Sequence, residues 1–240
     1  MAITLKPEND GSLTLQSNGV DFLNLAEHLF DGSNLQVYTA DDTWTKPDGL
    51  KYVIVEVIGA GGGGSTRGTQ GKTTYAGAGG GGGGYARRRI SEATLGDTEA
   101  VTVGTGGTAS KTGTTNTDGG NGGTSSFGSH VSASGGTGGQ KYDNAAPATI
   151  SSVGGTGGTG SNGDVNVQGS DGQSTTGSFG VPGGPSGLSF GASGVTVTAA
   201  TANIANGRPY GGGGSGGYSS GTNNAGTGAD GLVLVYEFFN

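Results

Sequence analysis

The sequence predicts an all-β chain: a β-sandwich-like frame carrying a glycine-rich, partly polyglycine-II insertion. Three observations lead there. Strong strand signals stand near 52–58, 85–90, 100–103 and 231–238, and the first and last of them flank the glycine-rich stretch. Glycine supplies 58 of the 240 residues, often as pairs repeated every three positions, as in "GGTGG" at 135–139 and "VGGTGGTG" at 153–160. Hydrophobic residues make up only 30% of the chain and charged residues 12%, so neither an ordinary core nor a charged disordered tail fits.

The elements follow in chain order. "ITLKP" and "SLTLQSNG" alternate as strands do, and Asn18-Gly19 signals a turn. Residues 20–30, "VDFLNLAEHLF", fit a short helix or a strand and are read as a connector. Pro47-Asp48-Gly49 is a turn, because Pro presets φ and Gly takes the positive-φ position. "YVIVEVI" at 52–58 is the strongest strand, and its pairing with 231–238 would close one sheet around the insertion. In 85–90 the alternation puts Arg87 and Arg89 on one face and Arg88 on the other.

The glycine-rich core, 105–230, raises the question of what holds it together. A polyproline-II-type helix has three residues per turn and no internal hydrogen bonds, so its backbone groups point outward. Glycine at every third position gives a face without side chains, and glycine pairs give two such faces. Rods of this kind can cohere through lateral backbone bonds, each worth about 0.5–1.5 kcal/mol net. Irregular stretches such as "NAAPATISS" divide the core into short rods separated by loops.

Catalytic and metal chemistry find little support. Gly71-Lys72-Thr73 ends like a phosphate-binding loop, but Thr66 stands where the first glycine is needed. There is no cysteine, and His28 and His130 are the only histidines, so a zinc site would need carboxylates. Asp164, Asp171 and Asp230 sit beside glycines, yet the repeat of a calcium-binding β-roll is absent. Five aspartates and no glutamate, thinly spread over 105–230, do not suit glycoside hydrolysis. No cofactor motif is present. A net charge of −7 disfavours nucleic acid, and no apolar run is long enough to cross a membrane. Arg87–Arg89 read as a solvated strand or a contact network between copies, in preference to a phosphate site. Tyr142, Tyr210 and Tyr218, with Arg208 and Asn144 beside them, lie in loop-like contexts. Tyrosine among Ser, Gly and Asn supplies rigid contact area with adaptable hydrogen bonding, and its ring suits stacking on sugars.

The run from Trp44-Thr45-Lys46-Pro47 through Gly49, "VIVEVIGAGGGG" at 53–64, "GGGGGGYA" and the closing "GADGLVLVYEF" at 228–238 resembles the glycine-rich domain at the distal end of many bacteriophage tail fibres. "GSLTLQSNGVDFLNL" is similar to repeats near the attachment ends of phage fibre proteins. The resemblance implies a homotrimeric, virion-associated protein without catalysis. Its residues 1–36 would attach or trimerise, through other tail proteins or its own copies, and 37–240 would form the distal domain. That domain would bind a bacterial polysaccharide or outer-membrane protein through loops, with Tyr142, Tyr210, Tyr218, Arg208 and Asn144 as candidates. The rival expectation is a virion connector or decoration protein whose glycine bundle is only a stiff spacer.

Overall fold

The computed structural model describes residues 3–7, 13–17, 20–24, 32–66, 76–111, 117–141, 152–175, 181–187, 205–217 and 225–239. The fold is all-β. Three strands, β1 (Ile3–Pro7), β2 (Leu13–Ser17) and β3 (Val20–Asn24), form an antiparallel meander. Residues 20–24, read as part of a connector, are therefore a strand, while 25–30 and His28 lie outside the described residues.

Two five-stranded antiparallel sheets make the sandwich. Its strands are β4 (Ser33–Tyr38), β5 (Asp42–Thr45), β6 (Leu50–Ile58), β7 (Tyr85–Ser91), β8 (Thr98–Thr102), β9 (Ser125–Phe127), β10 (Val131–Ala133), β11 (Gly160–Ser161), β12 (Val165–Val167) and β13 (Leu232–Phe239). One sheet runs β12-β7-β6-β13-β4 and the other β11-β10-β9-β8-β5. β6 pairs with β13 from Ile58↔Leu232 to Tyr52↔Phe238, so the two ends of the glycine-rich region do meet in one sheet. Period-two alternation turns Val53, Val55, Val57, Val233 and Val235 inward, against Trp44, Val101, Phe127 and Val131 of the second sheet. Trp44 meets Phe127 edge-on, with ring centroids 5.5 Å apart. The turn after Pro47 places Gly49 at φ +74°, where a side chain would be strained.

The glycines form a third part, a bundle of rods. Rod 59–66 donates from residues 59, 62 and 65 to 84, 81 and 78; from 60 and 63 to 123 and 120; and from 61 and 64 to 229 and 226. It accepts from 136 and 139, from 107 and 110, and from 214 and 217. Every third residue thus addresses the same neighbour, the signature of a threefold polyglycine-II helix, and six neighbours surround the rod. Rod 76–84 is enclosed in the same way, by 59–66, 134–140, 152–159, 169–175, 181–187 and 211–217. Together with 104–110, 117–123, 205–208 and 225–230, the described rods occupy one hexagonal lattice.

Burial explains where glycine runs and where it alternates. Rods 59–66, 76–84 and 211–217 touch one another in the lattice interior, and these carry "GAGGGG", "GGGGGG" and "GGGGSGG". A Cβ at Gly62, Gly80 or Gly214 would stand under 3.0 Å from a neighbour's backbone. Outer rods need only two bare faces of three. Rods 117–123, 134–140 and 152–159 read Gly-Gly-x, and their x residues Asn121, Thr137 and Thr156 are exposed.

Candidate functional site

Each strand that enters the lattice continues directly into a rod. β6 passes into 59–66 and 76–84 returns to β7; β8 and β9 are joined in the same way through 104–110 and 117–123, and β10 and β11 through 134–140 and 152–159. All these pairs are antiparallel. As a result, rod ends 66 and 76, 111 and 117, 141 and 152, 175 and 181, and 217 and 225 lie together at the end of the bundle away from the sandwich. Among the described residues, five pairs of rod ends consecutive in the chain meet there.

That end is closed by hydroxyls. Thr66 Oγ1 and Ser110 Oγ share a hydrogen bond of 2.8 Å, and Ser110 Oγ and Thr117 Oγ1 one of 2.7 Å. Ser65 Oγ donates to Gln140 O at 2.8 Å and accepts from Ala78 N at 2.8 Å. Ser152 Oγ donates to Ala76 O. Hydroxyls thus take up backbone groups of the rod termini at Ala76, Ala78 and Gln140. Lys111, Asp118 and Lys141 stand exposed around them, and Lys141 N donates to Asp118 Oδ1 at 2.6 Å.

The candidate contact residues separate. Arg208 and Tyr210 belong to the opposite, sandwich-proximal end. Arg208 O accepts from Gly212 N at 3.1 Å, and Tyr210 packs on the buried cluster of Ile58, Tyr85 and Leu232. Tyr142, Asn144 and Tyr218 lie outside the described residues, as do Gly71-Lys72-Thr73. In sequence, Tyr142 follows Lys141 and Tyr218 follows Gly217, both rod ends of the distal group.

The aspartates considered as metal ligands are bound to backbone instead. Asp171 Oδ1 accepts from Gly157 N at 2.8 Å, Asp230 Oδ1 from Gly106 N at 2.7 Å, and Asp164 Oδ2 from Arg89 N at 2.8 Å. Asn121, Asn206 and Ser174 do the same for Gly138, Thr227 and Gly154. An outer rod has N–H groups that no further rod reaches, and short side-chain oxygens of the adjacent rod take them. Among the described residues, no three His, Asp or Glu side chains converge as metal ligands would.

The arginines divide between faces as the alternation required. Arg87 Nε lies 3.4 Å from Glu56 Oε1, Arg89 covers the Tyr52 ring at 4.1 Å, and Arg88 donates across the sandwich to the carbonyl of His130. Burial, followed by the nearby Glu56 carboxylate, pushes the Tyr85 phenol up to about 12.

Two polar groups escaped the sequence reading. Glu237 is buried, and its carboxylate accepts from Trp44 Nε1 at 2.6 Å, Gln36 Nε2 at 2.5 Å and Asn34 Nδ2 at 2.7 Å. Its inward position was available from the alternation Val233, Val235, Glu237. Glu99 Oε1 accepts from Gly96 N at 2.9 Å and lies 3.0 Å from His130 Nε2. Burial acts to raise the Glu99 carboxyl, but these two partners prevail and hold it below the usual 4.5.

The described residues therefore form a hydrogen-bonded lattice with polar rims and one end at which five pairs of rod ends meet. No curated protein matches the chain. Residues 36–237 match the family described as a glycine-rich domain, and the chain belongs to that family.

Proposed function

We infer that the chain is a bacteriophage tail-fibre or tail-tip protein that recognises a bacterial surface polysaccharide or outer-membrane protein. The observation that carries this reading is the gathering of five rod-to-rod connections at one end of a lattice whose other end is fixed in a sandwich. A bundle whose backbone groups satisfy one another leaves the connections at its end available for recognition. Tyr142, Asn144 and Tyr218 sit in those connections and are the contact residues of this proposal; Arg208 and Tyr210 support the other end. Copies associate as a homotrimer, residues 1–36 join the rest of the tail, and several weak contacts act together. The resemblance of the Trp44–Gly64 and 228–238 segments to tail-fibre domains supports the same reading.

The test is competition. Purified chain should reduce adsorption of the parent particle to its host. Replacing Tyr142 and Tyr218 by Ala should weaken that competition, while Trp44 fluorescence stays native. A folded chain that never competes would leave the lattice as a spacer within the virion.

A further inference from the structure

In a hexagonal lattice a further rod would lie in the groove between two adjacent outer rods. Among the described rods, 117–123, 134–140, 152–159 and 169–175 are neighbours in that order and leave three such grooves between them. Each groove holds two short side chains three residues apart, and each side chain takes an N–H from across it. Asp118 and Asn121 accept from Lys141 N and Gly138 N at 2.6 and 2.9 Å. Ser134 and Thr137 accept from Thr159 N and Thr156 N at 2.8 and 2.6 Å. Asp171 and Ser174 accept from Gly157 N and Gly154 N at 2.8 and 2.9 Å. The step of three is the period of the rods themselves, so these oxygens stand where the carbonyls of an added rod would stand. In the interior, N–H groups with the same step meet backbone: Gly79 and Gly82 donate to the carbonyls of Gln173 and Ser170 at 3.1 and 2.9 Å. The grooves face solvent, for Asp118, Asn121, Thr137, Asp171 and Ser174 are all exposed.

A row of unpaired backbone groups at the edge of a β-sheet is a template for adding strands, and natural edges are blunted by charge and by blocked access. The rim of a rod lattice carries the same hazard in every groove. The surface that fits such a groove is present on the chain itself, because a rim rod of a second copy has the same period of three and the same bare glycine faces. Copies related by a twofold axis would present identical grooves to one another. Asp118 and Asp171 would then bring like charges together, in a chain whose net charge is −7. A single side-chain carbon is enough to bar a rod: a Cβ at Gly62 or Gly80 would stand under 3.0 Å from a neighbour's backbone.

We propose that these six side chains close the lattice against a second copy of the chain. Their oxygens satisfy the outward N–H groups, and their carbons fill the grooves that an added rod would enter. The capping residues thereby set the size of the bundle, and association between copies is left to other surfaces.

Three variants of the full chain, each checked for native Trp44 fluorescence, separate the two effects. Asp171→Asn keeps an acceptor. Asp171→Ala/Ser174→Ala removes both acceptors of one groove but leaves each Cβ in it. Asp171→Gly/Ser174→Gly empties the groove. Amide hydrogen exchange at Gly157 should keep its native rate in the first variant and run about tenfold faster in the other two. Sedimentation velocity over a wide range of concentration should match the unaltered chain for the Asn and Ala variants. The glycine variant alone should form larger species as concentration rises. If that pair of glycines unfolds the rod, Ser134→Gly/Thr137→Gly empties the neighbouring groove for the same measurement. Unchanged exchange in the alanine variant would overturn the proposal, and so would a folded glycine variant that exchanges faster yet sediments like the unaltered chain. Neither measurement involves a bacterial surface, so this result and the adsorption result are independent.

Discussion

Glu237 holds three hydrogen-bond donors, two from β4 of its own sheet and one from β5 of the facing sheet. Its removal leaves the buried Trp44 indole without an acceptor and frees the Asn34 and Gln36 amides, which solvent reaches. Glu237→Ala should cost on the order of 3 kcal/mol, and Glu237→Gln less, because the amide oxygen still accepts. Urea unfolding followed by Trp44 fluorescence measures both. Glu99 gives a pH dependence of known sign. Its folded carboxyl lies below the usual 4.5, so its stabilisation is complete above that value and lost as acid protonates it. Glu99→Gln should flatten the acid limb of a plot of stability against pH, and an unchanged limb would remove the Glu99–His130 contact as its cause. At this scale the sequence was only partly readable. The faces of Arg87, Arg88 and Arg89 followed from alternation alone, whereas the partners of Glu237 come from residues 193 to 203 positions away. Nothing local announces such a contact.

Rods and strands differ in what makes them legible. A strand shows itself by the side chains it buries, and 52–58, 85–90 and 231–238 were visible on that account; observed bounds differ by one or two residues. A rod shows itself by the side chains it lacks, and the spacing of three revealed its period but not its neighbours. Lattice position accounts for the rest: unbroken glycine inside, Gly-Gly-x outside. The two classes should respond differently to a methyl group. Gly80→Ala drives a Cβ into the backbone of Gly62 and Gly63, and overpacking of this sort costs about 1–3 kcal/mol or more. Thr156→Ala, at an exposed x position, should change stability by less than about 0.5 kcal/mol. Thermal melts of the two variants side by side provide the comparison. Equal losses would mean that the lattice is not close-packed.

In the whole molecule, strand and rod are one continuous device. The sandwich sets the spacing at which rods begin, and the rods carry that register to the far end, where the connections leave. The candidate contact residues were scattered through the sequence with nothing to sort them. Only the antiparallel course of the rods separates Arg208 and Tyr210, near the sandwich, from the positions of Tyr142 and Tyr218 in the chain. The lattice also has a calorimetric consequence. Its cohesion comes from peptide groups, and melting it exposes polar surface along with little hydrocarbon. Exposed apolar surface raises the heat capacity on unfolding and exposed polar surface lowers it, so the change should fall well below the usual ~12–15 cal/mol/K per residue. Scanning calorimetry should accordingly find a shallow, broad curve of free energy against temperature, one that keeps its grip in the cold where oil-like interiors lose theirs.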